Sequence, residues 1–154
     1  MKKRMLIAVV LIAAATFFSC KDYGGDKVLY GDWENRNTAG TEYTNKILRI
    51  EGKTEEMKKD KENDYDGIYK MAYMIDKTVV TDSVIEGKWR FLSAYNKDKK
   101  GYINQIQMQP DDANLKVQTF EFYFDGSMLM FIDRASTVPT TDSYYKVEGG
   151  IAGF

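Results

Sequence analysis

Residues 117–133 read VQTFEFYFDGSMLMFID, and this stretch decides the fold. Phe120, Phe122 and Phe124 alternate with Thr119, Glu121 and Tyr123, the period-two pattern of a strand that buries one face. A second apolar run, Met128 to Asp133, follows Asp125-Gly126. Glycine accepts positive φ without steric cost, so Asp-Gly between two apolar runs predicts an antiparallel hairpin.

The same alternation spreads outward from this hairpin. Val84 to Ser93 sets Ile85, Gly87, Trp89 and Phe91 against Glu86, Lys88 and Arg90. Tyr102 to Gln109 sets Tyr102, Ile106 and Met108 against Gln105 and Gln107. Ile68 to Asp76 places Tyr69, Met71, Tyr73 and Ile75 on one face. Leu29 to Asn35 with Trp33, Thr44 to Gly52 with Ile47, Leu48 and Ile50, and Tyr144 to Val147 bring the predicted strands to eight. Lys100-Gly101 and Pro110-Asp111-Asp112 supply turns. Thr54 to Asn63 (TEEMKKDKEN) is too charged for an apolar stripe and reads as a long solvated loop or a short lid helix. Eight short antiparallel strands in one all-β domain predict an up-and-down barrel, which leaves no exposed edge; a β-sandwich is the alternative.

The beginning of the chain has a different character. Lys2, Lys3 and Arg4 precede an uncharged, apolar run from Met5 through Phe18. That is the pattern of a secretory signal, and the run is shorter than the roughly 18–20 apolar residues a membrane-spanning helix requires. Phe17-Phe18-Ser19-Cys20 follows and resembles the lipobox of bacterial lipoproteins, with Phe17 where leucine is commonest. The resemblance implies cleavage between Ser19 and Cys20, a diacylglycerol thioether on Cys20, and an acyl chain such as palmitate on the new amino terminus. Two or more chains hold firmly where one holds marginally. The other reading is an ordinary secreted protein with Cys20 as a stray thiol, yet Cys20 is the chain's sole cysteine and sits where the modification requires it. The expected organisation is a signal peptide over 1–19, a lipidated cysteine and tether over 20–28, and a barrel domain over 29–154. Lys21-Asp22-Tyr23-Gly24-Gly25-Asp26 resembles in part the charged surface-export signal of Bacteroidota lipoproteins, and reads equally as a flexible spacer. The implied location is the outer membrane, on its periplasmic or cell-surface side.

Gly31-Asp32-Trp33 at the first predicted strand resembles the Gly-x-Trp signature that opens lipocalin-like barrels, and Tyr144-Tyr145-Lys146-Val147 fits that family's last strands. The resemblance implies that Trp33 plugs one end of the barrel, with Gly31 allowing close chain approach. Gly87-Lys88-Trp89 repeats the three-residue pattern, although the flanks do not align. Gly31, Trp33 and Trp89 are accordingly structural candidates.

Composition narrows the chemistry. Removing 1–19 from the 154 residues takes away Lys2, Lys3 and Arg4, leaving 19 basic against 23 acidic residues and a net charge of −4. That balance, with dispersed basic residues, argues against nucleic acid as a partner. The chain has no histidine, which removes the commonest general base and zinc ligand together. Glu62, Asp64, Asp66 and Gly67 mimic the first half of a calcium loop, but Tyr73 stands where the closing bidentate glutamate belongs. A solvated acidic turn is the preferred reading, and no metal or cofactor is expected. Glu121 and Glu86 are the carboxylates to inspect for glycoside hydrolysis, although polar positions on alternating strands usually face solvent. Trp33, Trp89, Phe91, Phe120, Phe122 and Phe124 read as core before they read as a sugar-stacking platform. The sequence therefore points to a non-enzymatic, membrane-anchored domain that binds a small apolar molecule or glycan, of unspecified identity. The alternative is a structural or protein-interaction lipoprotein with a filled barrel. An empty cavity favours the first and a solid core the second.

Overall fold

The computed structural model describes residues 26–35, 45–96, 101–124, 126–135 and 137–154. Ser19, Cys20 and the apolar leader lie outside the described residues, and no described helix is long and apolar enough to cross a membrane.

One antiparallel sheet closes on itself. Its strands are β1 (Gly31–Asn35), β2 (Asn45–Gly52), β3 (Gly67–Ile75), β4 (Thr78–Val79), β5 (Ile85–Asn96), β6 (Gly101–Pro110), β7 (Gln118–Phe124), β8 (Met128–Asp133) and β9 (Thr140–Val147). Each strand but β4 pairs with its neighbours in chain order, β3 with β5 across the short β4 return. β1 pairs with both β2 and β9, and the β2–β3 pairing completes the ring. The result is the eight-stranded up-and-down barrel that the sequence predicts, not a sandwich, with β4 as a two-residue appendage on β3. Its turn uses Asp76 and Lys77 at φ 47° and 67°, a hairpin that carries no glycine and leaves no composition signal. The Thr54–Asn63 segment holds a single short helix, α1 (Glu55–Lys59), capped when Met57 N donates to Thr54 Oγ1 at 3.2 Å.

Register converts the alternation into an inside and an outside. Trp33 opposes Leu48, and Gly67 opposes Trp89, which opposes Met108. Trp33, Leu48, Trp89, Ile106, Leu129 and Tyr144 are all buried inside. The base is filled by aromatic packing. Trp33 meets Phe124 edge-on at 6.0 Å between centroids, and Trp89 meets Phe91 at 5.1 Å; such geometry adds about 0.5–1.5 kcal/mol per pair beyond burial. Both indoles also satisfy their N–H. Trp33 Nε1 donates to Leu29 O at 2.8 Å, from a 3₁₀ turn over Asp26–Leu29 that tucks Leu29 under the base. Trp89 Nε1 donates to Glu51 O at 2.9 Å. Gly31 takes φ +125°, closed to most side chains. Gly67 passes so close to Trp89 that a Cβ would sit 2.6 Å from Nε1. The two Gly-x-Trp patterns thus place two fully buried tryptophans in one core.

A second apolar cluster lies on the outer face of β2 and β3. After β9 the chain turns through Gly149 and Gly150, both at positive φ. It then lays Phe154 against Ile47, Ala72 and Met74. Ile151 N donates to Asp32 Oδ2 at 2.6 Å, and Arg49 holds both oxygens of Asp32 at 2.6 and 2.7 Å.

Trp33 lies in the deepest packing, so Trp33→Ala is expected to cost about 3–5 kcal/mol through lost burial and a new cavity. Trp89→Ala is expected to fall in the same range. Denaturant melts check both, and a midpoint unchanged by Trp33→Ala would refute its role as a plug.

Candidate functional site

The barrel is not filled along its whole length. Above the aromatic base a cavity of about 350 Å³ opens at the end where β3, β6 and β8 finish and β2, β5, β7 and β9 begin. An eight-stranded barrel is just wide enough for side chains to fill or for one small ligand to occupy. Here side chains fill the base and leave open space toward the mouth.

The inner wall is apolar. Leu48, Met71, Ile85, Met108, Phe120 and Phe131 line it, each an inward position of its strand. Phe120 stacks on Phe131 at 5.4 Å with planes 17° apart, and Phe131 leans on Tyr144 at 5.7 Å. Phe120 therefore differs from Phe91, Phe122 and Phe124: it is both core and cavity wall.

The mouth is polar. Lys46, Tyr73, Asp133 and Asp142 occupy inward positions two residues beyond the last core residue of their strands, and Thr140 lies two beyond Asp142. Lys46 Nζ donates to Asp142 Oδ2 at 3.0 Å, with 21% and 47% of the two side chains exposed. Half-open to water, such a pair is worth little by itself. Tyr144 lines the same cavity as this pair. Burial pulls Lys46 down, but Tyr144 and Asp142 outweigh it and hold the ammonium above the ordinary lysine range. Burial pushes the Tyr144 phenol up to about 12, with Asp142 adding to the effect and Lys46 opposing it. Tyr69, deeper in the cavity wall, is pushed up to about 12 by burial and by the charge of Asp111.

The acidic residues that the sequence singles out lie elsewhere. Glu121 bonds Arg134 Nε at 2.7 Å, and Glu86 lies 3.3 Å from Lys70 Nζ. Both sit at outward positions, so the cavity receives neither. In the calcium-like loop Asp66 accepts from Phe91 N at 2.8 Å, Asp64 lies 3.8 Å from Arg90 Nη1, and Glu62 N donates to Asp60 Oδ1 at 3.0 Å. No group of three or more potential ligating side chains (histidine, cysteine, aspartate or glutamate) converges among the described residues. That loop and α1 connect β2 to β3 at the base, so the helix is no lid for the mouth.

Lys46, Asp133 and Asp142 carry no signal as site residues in the sequence. Thr140 to Ser143 is a polar run, and β9 starts four residues before the apolar pattern begins at Tyr144. The only available hint was that Tyr144's inward parity, extended backwards, selects Asp142 and Thr140.

No family model matches the chain, and no curated protein or solved structure is significantly similar to it.

The two displaced phenols set an alkaline limit. A folded-state value above the unfolded value of 10.0 means stability is fully present below pH 10 and is lost as pH rises through about 12. Thermal midpoints should therefore fall between pH 10 and 12, and Tyr69→Phe with Tyr144→Phe should flatten that fall. A decline of unchanged steepness in the double variant would refute the assignment.

Proposed function

We propose that this protein is a lipid-anchored envelope lipoprotein whose barrel binds one small, largely apolar molecule or glycan fragment without chemically altering it. The observation that carries the binding role is the cavity of about 350 Å³ above a filled base. Small-molecule sites are typically concave, mostly apolar, about 300–1,000 Å³ in volume, and furnished with a few convergent polar groups. This mouth has that make-up: an apolar wall from Leu48 to Phe131 and a polar rim at Lys46, Asp133 and Asp142. A barrel packed solid to its rim would have favoured a structural or protein-interaction lipoprotein instead. The anchor rests on the run from Lys2 to Cys20 and its lipobox-like ending. Its acyl chains on Cys20 would hold the domain to the outer membrane, on the periplasmic or cell-surface side.

The two halves of the proposal separate experimentally. Cys20→Ala expressed in the native host should leave the membrane fraction and appear soluble; if it still sediments and resists alkaline extraction, the anchor is wrong. For binding, a native mass spectrum of the barrel purified from its host should show a discrete co-purifying mass. Met71→Trp, which projects an indole into the cavity, should remove that mass while the barrel melts normally. A wild-type spectrum with the bare chain alone would count against a bound ligand.

A further inference from the structure

The mouth of the barrel has a charge arrangement that discriminates among ligands by head group. Four charged residues line the cavity among the described residues, Lys46 and Lys116 against Asp133 and Asp142, and they cancel. The inner two are already joined at 3.0 Å. No buried polar side-chain atom among the described residues lacks a hydrogen-bond partner.

The donors and acceptors left over are specific. The Lys46 ammonium has three N–H donors; one goes to Asp142 Oδ2 at 3.0 Å. The pair therefore leaves the ammonium with donor capacity facing the cavity. Asp142, with 47% of its side chain exposed, keeps Oδ1 as an acceptor beside it. A carboxylate or phosphate that approached Lys46 would face the Asp142 carboxylate at close range, and an ammonium that approached Asp142 would face Lys46. Like charges at such separations oppose binding in a partly desolvated mouth. A neutral head that carries an acceptor beside a donor answers both groups without breaking the pair. Adjacent hydroxyls do this.

We infer that the cavity selects a neutral amphiphile: a short apolar body against Leu48, Met71, Met108 and Phe120, and a vicinal-diol-like head on the Lys46–Asp142 pair. The inference rests on the ligand-binding reading above and narrows it. The volume sets the scale: about 350 Å³ holds on the order of ten non-hydrogen atoms, at roughly 30 Å³ for each water-sized group. Longer chains would extend through the mouth.

Three probes of equal chain length isolate the head group: 1,2-octanediol, octanoate and octylammonium. Titrated into the wild-type barrel near neutral pH and followed by calorimetry, the diol should bind roughly tenfold more tightly than either ion. Asp142→Asn frees Lys46 and should shift the preference to octanoate, whereas Lys46→Met frees Asp142 and should shift it to octylammonium. The wild-type comparison stands even if a variant fails to fold. Octanoate or octylammonium binding wild type as tightly as the diol would overturn the head-group inference and leave the cavity's ligand-binding role intact. No binding of any of the three, together with a bare native mass spectrum, would overturn both.

Discussion

Everything in this barrel depends on the short strand β1, which must hydrogen-bond β2 on one side and β9 on the other for the ring to close. It has five residues to do so, Gly31–Asn35, and it is pinned on both faces. Inside, Trp33 fills the base under the 3₁₀ turn. Outside, Asp32 faces Arg49 directly across the β1–β2 ladder and is sealed by the backbone of Ile151. Burial alone would raise the Asp32 carboxyl; the Arg49 and Ile151 hydrogen bonds outweigh it and hold the group below the ordinary aspartate range. A buried pair of this kind needs its remaining lone pairs satisfied if it is not to cost stability, and the returning chain provides that. Closure at β1 and the path of residues 148–154 are one structural solution.

That solution also accounts for a departure from simple alternation. Ile47, Ala72 and Met74 point outward, where a barrel strand ordinarily shows polar residues, yet Ile47 and Ala72 are fully buried. Phe154 covers them, and its ring is in turn flanked by Arg49 at 5.3 Å and Lys70 at 5.5 Å. Cation–π contacts at such distances contribute about 0.5–1 kcal/mol each when exposed. The molecule therefore has an inner core shared by eight strands and a smaller outer one local to β2, β3, the β4 hairpin and the returning chain.

Sequence reading recovered the fold where the physics is local and periodic. β8 falls on its predicted residues, and β3 and β7 lie within one residue of theirs, because period-two burial with turn residues is a strong signal. It failed where side-chain polarity and burial part company. The β4 turn escaped because Asp76 and Lys77 reach left-handed backbone without glycine. The path of 148–154 escaped because Gly-Gly-Ile-Ala-Gly-Phe has no periodicity to read. The early half of β9 escaped because its inward residues are polar. That gap matters for function: the rim of an open cavity is built from residues that a burial pattern assigns to solvent. Lys46 and Asp142 were thus illegible as a pair until the register brought β2 and β9 to opposite sides of β1.

The two ends of the barrel are packed differently. At the base, Trp33, Trp89, Phe91, Phe122 and Phe124 pack ring against ring at 5.1–6.0 Å between centroids, a favourable aromatic geometry. Continuing that packing upward would require apolar residues at the positions of Lys46, Tyr73, Asp133, Thr140 and Asp142. Such replacements of a partly buried ion pair are often neutral or stabilising, because the pair carries a desolvation cost that its attraction only partly offsets. The Lys46–Asp142 pair is therefore poorly explained as a stabilising element, and the space beside it is lost packing in the same sense. An open mouth that carries a charge pair is what the proposed binding role calls for, and the aromatic base supplies the packing that the mouth forgoes.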